Sequence, residues 1–149
     1  MSIIKTSEEI ELIRESARIV SKTLGMLAAE IKPGVTSLRL DALAETFIRD
    51  HGAIPGFLGL YDFPNTLCMS PNTQVVHGIP NDTPLESGDI ISIDCGALKN
   101  GFYGDHAYTF EVGEVAAPTQ KLLQITKESL YKGIKAFKVG NRVGDVGHA

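Results

Sequence analysis

The run Gly88-Asp89-Ile90-Ile91-Ser92-Ile93-Asp94-Cys95-Gly96-Ala97-Leu98-Lys99-Asn100-Gly101-Phe102-Tyr103-Gly104-Asp105 decides the architecture. Ile90, Ile91 and Ile93 are β-branched residues that favour a strand over Asp89–Ala97. Asn100-Gly101 is a two-residue turn signal, and Tyr103, Tyr108, Thr109 and Phe110 favour a returning strand from Phe102 to Val112. Side chains of a strand alternate between faces, so the position of the turn fixes which residues share one. With Asn100-Gly101 central, Asp94 lies opposite Ala107 and diagonal to Asp105, which is itself across from Gly96. With Lys99-Asn100 central, the two aspartates are directly opposed. Either register puts both carboxylates on one face, with Cβ atoms roughly 4.5 to 8 Å apart. Gly96 and Gly104 leave space beside them.

On a solvated sheet face, two such carboxylates would be exposed or paired with lysine. The flanks argue otherwise: Ile91, Ile93 and Cys95 on one strand and Ala107, Tyr108 and Phe110 on the other describe a largely buried hairpin. Two buried, unpaired carboxylates repel and are driven to protonate, a conflict that a cation removes. Hard oxygen donors, with imidazole in reach, suit Mn²⁺, Fe²⁺, Co²⁺ or Zn²⁺, and spacing alone does not choose among them.

Outward from the hairpin, Thr6 and Glu9 form a capping box ahead of Ile10, Ile13, Ala17, Val20, Leu24 and Leu27, the stripe of an amphipathic helix. Lys32-Pro33-Gly34 stops it, and Thr36 or Ser37 caps a second helix to about Asp50 with Leu40, Leu43 and Phe47 inward. Gly52 to Pro64, rich in Gly, Pro and aromatics, reads as an ordered loop that lines something. Short strands are expected at Thr66–Met69 and Gln74–His77. Pro118 opens a third helix with Leu122, Leu123, Leu130, Ile134 and Phe137 on one face. The helix stop Lys32-Pro33-Gly34-Val35 has an echo 106 residues later in Lys138-Val139-Gly140, with Asp145 near another helix start.

Composition narrows the function. The 149 residues, 43% hydrophobic and 21% charged, suit one globular domain with a real core. A net charge of -4 with scattered basic residues argues against nucleic acid as the main ligand. No run approaches a membrane span, no secretory leader is apparent, and Cys68 and Cys95 give no disulfide framework, so the expected location is the cytoplasm.

The segments Val75-Val76-His77-Gly78-Ile79-Pro80, Gly88-Asp89-Ile90-Ile91-Ser92-Ile93-Asp94 and Asn100-Gly101-Phe102-Tyr103-Gly104-Asp105 together resemble the type I methionine aminopeptidases. The likeness extends to Lys32-Pro33-Gly34-Val35 and Thr126-Lys127-Glu128-Ser129-Leu130, so it covers essentially the whole chain. It implies an α+β pita-bread (creatinase/aminopeptidase) fold. Residues 1–149 would be the first pseudo-symmetric half and the start of the second, within a single metallopeptidase domain. It further implies two divalent metal ions, Asp94 as a chelating and Asp105 as a bridging ligand, and His77 as the catalytic residue that touches substrate. Phe57, Leu60, Phe63 and Cys68 would border the methionine pocket, although Leu60 stands where the family often has an aromatic. His106 replaces the family's usual Ser or Thr, and strand alternation turns it away from the metals. His51 and His148 carry structural roles.

The implied activity is removal of the N-terminal methionine from nascent proteins, by metal-activated attack of water on the first peptide bond. Ribosome association, no membrane partner and a monomeric complete protein belong to the same expectation. The family completes its centre with one histidine and two glutamates for which residues 1–149 offer no match. Three alternatives stay open: a Xaa-Pro aminopeptidase, a creatinase-like hydrolase, and an inactive pita-bread binding module.

Overall fold

The computed structural model describes residues 4–149 and has an α+β architecture. It divides into two compact units, one running to Glu114 and the other Val115–Ala149. In the first, α1 (Ser7–Glu30) and α2 (Ser37–Asp50) precede β1 (Ile54–Pro55), β2 (Leu67–Pro71), β3 (Ile90–Lys99) and β4 (Phe102–Glu111). All pairings are antiparallel: β3 is central, with β4 along one edge and β1 and β2 sharing the other.

Each helix begins where its sequence says it should. Thr6 accepts from the Glu9 N–H while the Glu9 carboxylate accepts from the Thr6 N–H, and Thr36 accepts from the Arg39 N–H. The buried stripe of α1 is Ser16, Ile19, Val20, Thr23, Leu24 and Leu27, which drops Ile10 and Ala17 from the expected face and adds two hydroxyls. The hydroxyls are tolerated because each finds a carbonyl: Ser16 donates to the Phe102 oxygen at 2.8 Å and Thr23 to the Ile19 oxygen at 2.9 Å. In α2 the buried apolar positions are Leu40, Ala44 and Ile48, while Phe47 is half-buried and stacks on His51, ring centroids 4.2 Å apart. His51 caps α2, and its carbonyl accepts from the Lys99 ammonium at 3.1 Å.

The hairpin takes the first of the two registers left open, with Lys99 opposite Phe102, Asp94 opposite Ala107 and Gly96 opposite Asp105. Asn100 (φ 53°) and Gly101 (φ 80°) both adopt positive φ, the geometry that lets a two-residue turn follow the twist of its strands. Ser16 and Glu15 of α1 reach this turn, Glu15 accepting from the Asn100 amide at 3.0 Å. Gly104 is needed here for close packing rather than for an open site: a Cβ would run into the backbone of Ser16 and Ala17.

Three expectations are corrected. The hairpin is not largely buried: β3 is, but Asp105, Ala107 and Tyr108 of β4 are exposed. Gln74–His77 is not a strand, because His77 is left-handed (φ 59°) and the chain turns back so that Gly78 meets β2 through its carbonyl, accepting from Met69 N–H at 2.8 Å. Residues within Gly52–Pro64 are more ordered than a loop, with the β1 bridge and a 3₁₀ turn at Leu60–Asp62.

The second unit holds α3 (Ala117–Ala136) and α4 (Val143–His148). Its expected apolar face is exposed at Leu122, Leu130, Ile134 and Phe137, and none of the residues of α3 is buried. The internal echo is geometric as well as sequential. Ala136 ends α3 at 106 residues beyond Glu30, Val143 starts α4 at 106 beyond Ser37, and Gly140 (φ 96°) repeats the left-handed Gly34 (φ 91°) at the same offset.

Candidate metal centre

The register sorts β3 onto two faces. Ile91, Ile93, Cys95 and Ala97 point into the core with Leu67 and Met69 of β2. Ser92, Asp94 and Gly96 point the other way, in rows with Ser70 and Thr109, with Cys68 and Ala107, and with Asp105. Asp94 and Asp105 therefore sit diagonally on one face, close enough that the Asp105 charge acts on Asp94.

The electrostatics identify the stress at this point. Burial, and then the Asp105 charge beside it, raise the Asp94 carboxyl above its ordinary value, while His77 pulls in the opposite direction. Asp94 Oδ1 is buried and meets no hydrogen-bond partner among the described residues. A buried acceptor without a donor, beside a second carboxylate, is the arrangement that a cation satisfies, and two hard oxygen donors fit a divalent ion. Among the described residues no three His, Cys, Asp or Glu side chains are grouped to hold one. The chain thus offers a pair of donors and not a full coordination shell.

Around the pair, Cys68 is directly opposite Asp94 on β2, its thiol pushed up to about 11 by burial with Asp94 and Asp105 adding to it. Cys95, on the core face, is pushed up to about 12 for the same reasons. Both remain thiols at neutral pH and behave as packing groups. His77 is exposed and held in the left-handed region, a conformation that costs on the order of 1 kcal/mol and collects at functional sites. Its neighbour Gly78 secures it: the Gly78 N–H donates to Ser70 Oγ at 3.0 Å, and a Cβ at this position would collide with the Met69 carbonyl oxygen.

The aromatic segment also meets the site. The Phe57 ring lies over Gly96, where a Cβ would come within 2.6 Å of it. Gly56 N–H donates to the Gly96 carbonyl at 2.8 Å, which fixes the approach. Phe57 and Phe63 are half-buried and Leu60 is 48% exposed, and none of the three belongs to the core cluster. His106 is paired with Cys95 and so faces away from the aspartates; His148 is exposed in α4.

Sequence reasoning missed Asp41. It is buried at 6% exposure, and its carboxylate accepts from the N–H groups of Thr66 and Leu67 and from the Asn65 amide, just ahead of Cys68. Its place on the inner face of α2 was the available signal, since an aspartate one position from Leu40 has to be either exposed or fully bonded.

An α+β fold whose hairpin presents two carboxylates on one face, one with an unpartnered buried oxygen, has the donors of a divalent-cation-binding protein. Residues 11–149 match the model of metallopeptidase family M24, and the chain belongs to that family, which implies divalent metal cofactors. It is 49% identical over 150 residues to a methionine aminopeptidase of Clostridium acetobutylicum, covering 100% of this chain and 60% of that protein. The crystal structure of methionine aminopeptidase from Rickettsia prowazekii superposes with a TM-score of 0.96 at 38% identity, covering 99% of this chain and 60% of the other. A prolidase from Pyrococcus furiosus superposes with a TM-score of 0.76 at 26% identity, over 89% of this chain and 38% of that one. The fold is the pita-bread fold that these proteins share, and the chain spans about 60% of the length of the methionine aminopeptidases it matches.

Proposed function

We propose that this chain carries the first metal-binding half of a methionine aminopeptidase, which removes the N-terminal methionine from nascent proteins in the cytoplasm. The observation that carries the reading is the Asp94–Asp105 pair with its unpartnered buried Oδ1. Greater likeness to a methionine aminopeptidase than to a prolidase supports methionine over a Xaa-Pro substrate. No helix among the described residues is long and apolar enough to cross a membrane, which is compatible with the location.

In this proposal Asp94 and Asp105 would hold two divalent ions, and the remaining donors would come from sequence outside residues 1–149, in a second half that begins with the repeated helix junction at Gly140. The chemistry supplied by the bound cations is a lowered water pKa and a polarised carbonyl. His77, exposed beside Asp94 and fixed by Gly78, donates a hydrogen bond to the scissile peptide group as charge develops on it. Phe57, Leu60, Phe63 and Cys68 border the methionine side chain, with Phe57 seated on Gly96 so that it closes over the metal face. Sulfur packs well against aromatic rings, which favours methionine in such a pocket.

Two measurements test this. Titrating Mn²⁺ or Co²⁺ into the chain should raise its Tm, and Asp94→Ala should abolish the rise; a wild-type chain indifferent to metal overturns the assignment. Release of free methionine from Met-Ala-Ser, with no cleavage of Ala-Pro peptides, is the expected specificity of the complete enzyme. The reverse preference would give the prolidase-like reading instead.

A further inference from the structure

We propose that Asp41 is a positioning residue whose carboxylate fixes the start of β2, so that Cys68 and the aromatic segment ahead of it stand as a rigid wall beside Asp94. The inference deepens the proposed function and rests on reading Phe57–Cys68 as the substrate-side wall.

The segment between α2 and β2 has little regular structure of its own: a two-residue bridge, a 3₁₀ turn, and left-handed residues at Gly59, Tyr61 and Asp62. Such a stretch holds a shape only where its ends are fastened. One end is fastened by backbone, through β1 and the bond from Gly56 N–H to the Gly96 carbonyl. The other end is fastened by a side chain. Asp41 Oδ1 accepts from the Thr66 N–H at 3.0 Å and the Leu67 N–H at 2.8 Å, and Oδ2 accepts from the Asn65 amide at 2.9 Å.

The choice of residue is informative. Asp41 is the one charged side chain among the buried polar residues described, and the ion pairs seen, Arg14 with Glu11 and Arg49 with Glu45, do not involve it. Burial raises its carboxyl, and the bonds from Asn65, Leu67 and Thr66 pull it back. A buried carboxylate with no cationic partner is a costly way to hold two stretches of chain together. What it offers is acceptors on both oxygens and no donor, so three N–H groups can converge on one rigid side chain; serine or threonine would bring a proton of its own. The next residue after the clamped pair is Cys68, directly opposite Asp94. A shift at Leu67 is therefore passed on within one residue to the wall of the metal face.

The test separates local positioning from global stability by using the two buried thiols. Cys68 follows the clamp, whereas Cys95 lies in the core on the other face of the sheet. In Asp41→Ala, iodoacetamide labelling of metal-free protein, followed by peptide mapping, should speed up about tenfold at Cys68 and no more than about twofold at Cys95, which pairs with the clamped Leu67 but is fully buried in the core. Asp41→Asn keeps an acceptor for the two backbone N–H groups but loses the one that Asn65 uses, so it should label at a rate between wild type and Asp41→Ala. If Asp41→Ala does not fold, Asn65→Ala, which removes only the Oδ2 partner, should still give about a threefold rise confined to Cys68. Equal acceleration at both thiols, or none, overturns the proposal, as does Asp41→Asn behaving like Asp41→Ala. In the complete enzyme the same Asp41→Ala change should raise KM for Met-Ala-Ser about tenfold with kcat within about twofold, the pattern of lost substrate binding. If wild type releases no methionine, the aminopeptidase reading fails while the labelling ratio still decides the role of Asp41.

Discussion

The two faces of β3 are built by alternate residues of one strand and yet obey opposite rules. Ile91, Ile93, Cys95 and Ala97 are fully buried, share one core with the apolar faces of α1 and α2, and leave no polar group behind. Ser92, Asp94 and Gly96 are either hydrogen-bonded, stressed or missing a side chain altogether: Ser92 pairs with Thr109 at 2.8 Å, Asp94 leaves an oxygen unpartnered, and Gly96 makes room for Phe57. The first face contributes stability, whereas the second leaves a buried polar atom unsatisfied, the kind of local cost that collects at functional sites. Substitutions that treat the faces alike should therefore produce effects of different size and sign.

The largest effect is expected at Ile93→Ala. The side chain is fully buried and lies beside Met69 of β2, so truncation removes transfer energy and leaves a cavity. A loss of about 3 to 4 kcal/mol in urea unfolding is expected. Loss of under 1 kcal/mol would mean that the helix layer collapses onto the sheet and that the core face is not tightly packed.

Next is Gly104→Ala, which asks whether α1 is held against the hairpin as closely as Gly104 implies. A methyl group here meets backbone of Ser16 and Ala17 and not a flexible side chain, so relief requires moving the helix. About 2 to 3 kcal/mol of destabilisation is expected, from the same unfolding measurement. A neutral result would restore the sequence-based reading of Gly104 as open space beside the site.

Much of this contrast could be read from the sequence. The turn at Asn100-Gly101 and strand alternation were enough to put Asp94 and Asp105 on one face, and the structure adopts one of the two registers allowed. Glycine was harder. Gly96 and Gly104 look equivalent in sequence, but parity puts one on each face, and what each meets depends on elements far away in the chain. The same limit explains Asp41, whose three partners are 24 to 26 residues distant. It explains α3 too: periodicity defines an apolar stripe on α3 as it does on α1, but burial depends on what lies opposite, and α3 buries none of its residues. The Gln74–His77 strand failed because nothing local announces that a histidine will be left-handed.

On the second face the sign should reverse. Asp94→Asn removes a charge that burial and Asp105 both disfavour, and the amide can still accept. The metal-free chain should be more stable by about 1 kcal/mol, the usual yield when a functional strain is relieved. Its Tm should no longer respond to Mn²⁺ or Co²⁺. A variant that is less stable without metal would show that the Asp94 carboxylate is fully satisfied inside the protein, and would remove the main physical argument for an ion.

The smallest effect, and the sharpest check on the division into faces, is expected at His106. Imidazole is a common ligand for the divalent ions considered, and His106 is adjacent in sequence to Asp105. Sequence proximity alone would make it the natural third donor. Pairing says otherwise: His106 is opposite Cys95, while Asp105 is opposite Gly96, so the imidazole leaves the strand on the core side. It is also exposed there, at the sheet edge, and contributes little packing. His106→Ala should change stability by no more than about 0.5 kcal/mol and leave the metal-induced rise in Tm intact. A tenfold weaker metal response would bring His106 to the Asp94 side, which requires β4 to slip by one residue; the Asn100-Gly101 turn resists that slip, because both of its residues are held at positive φ.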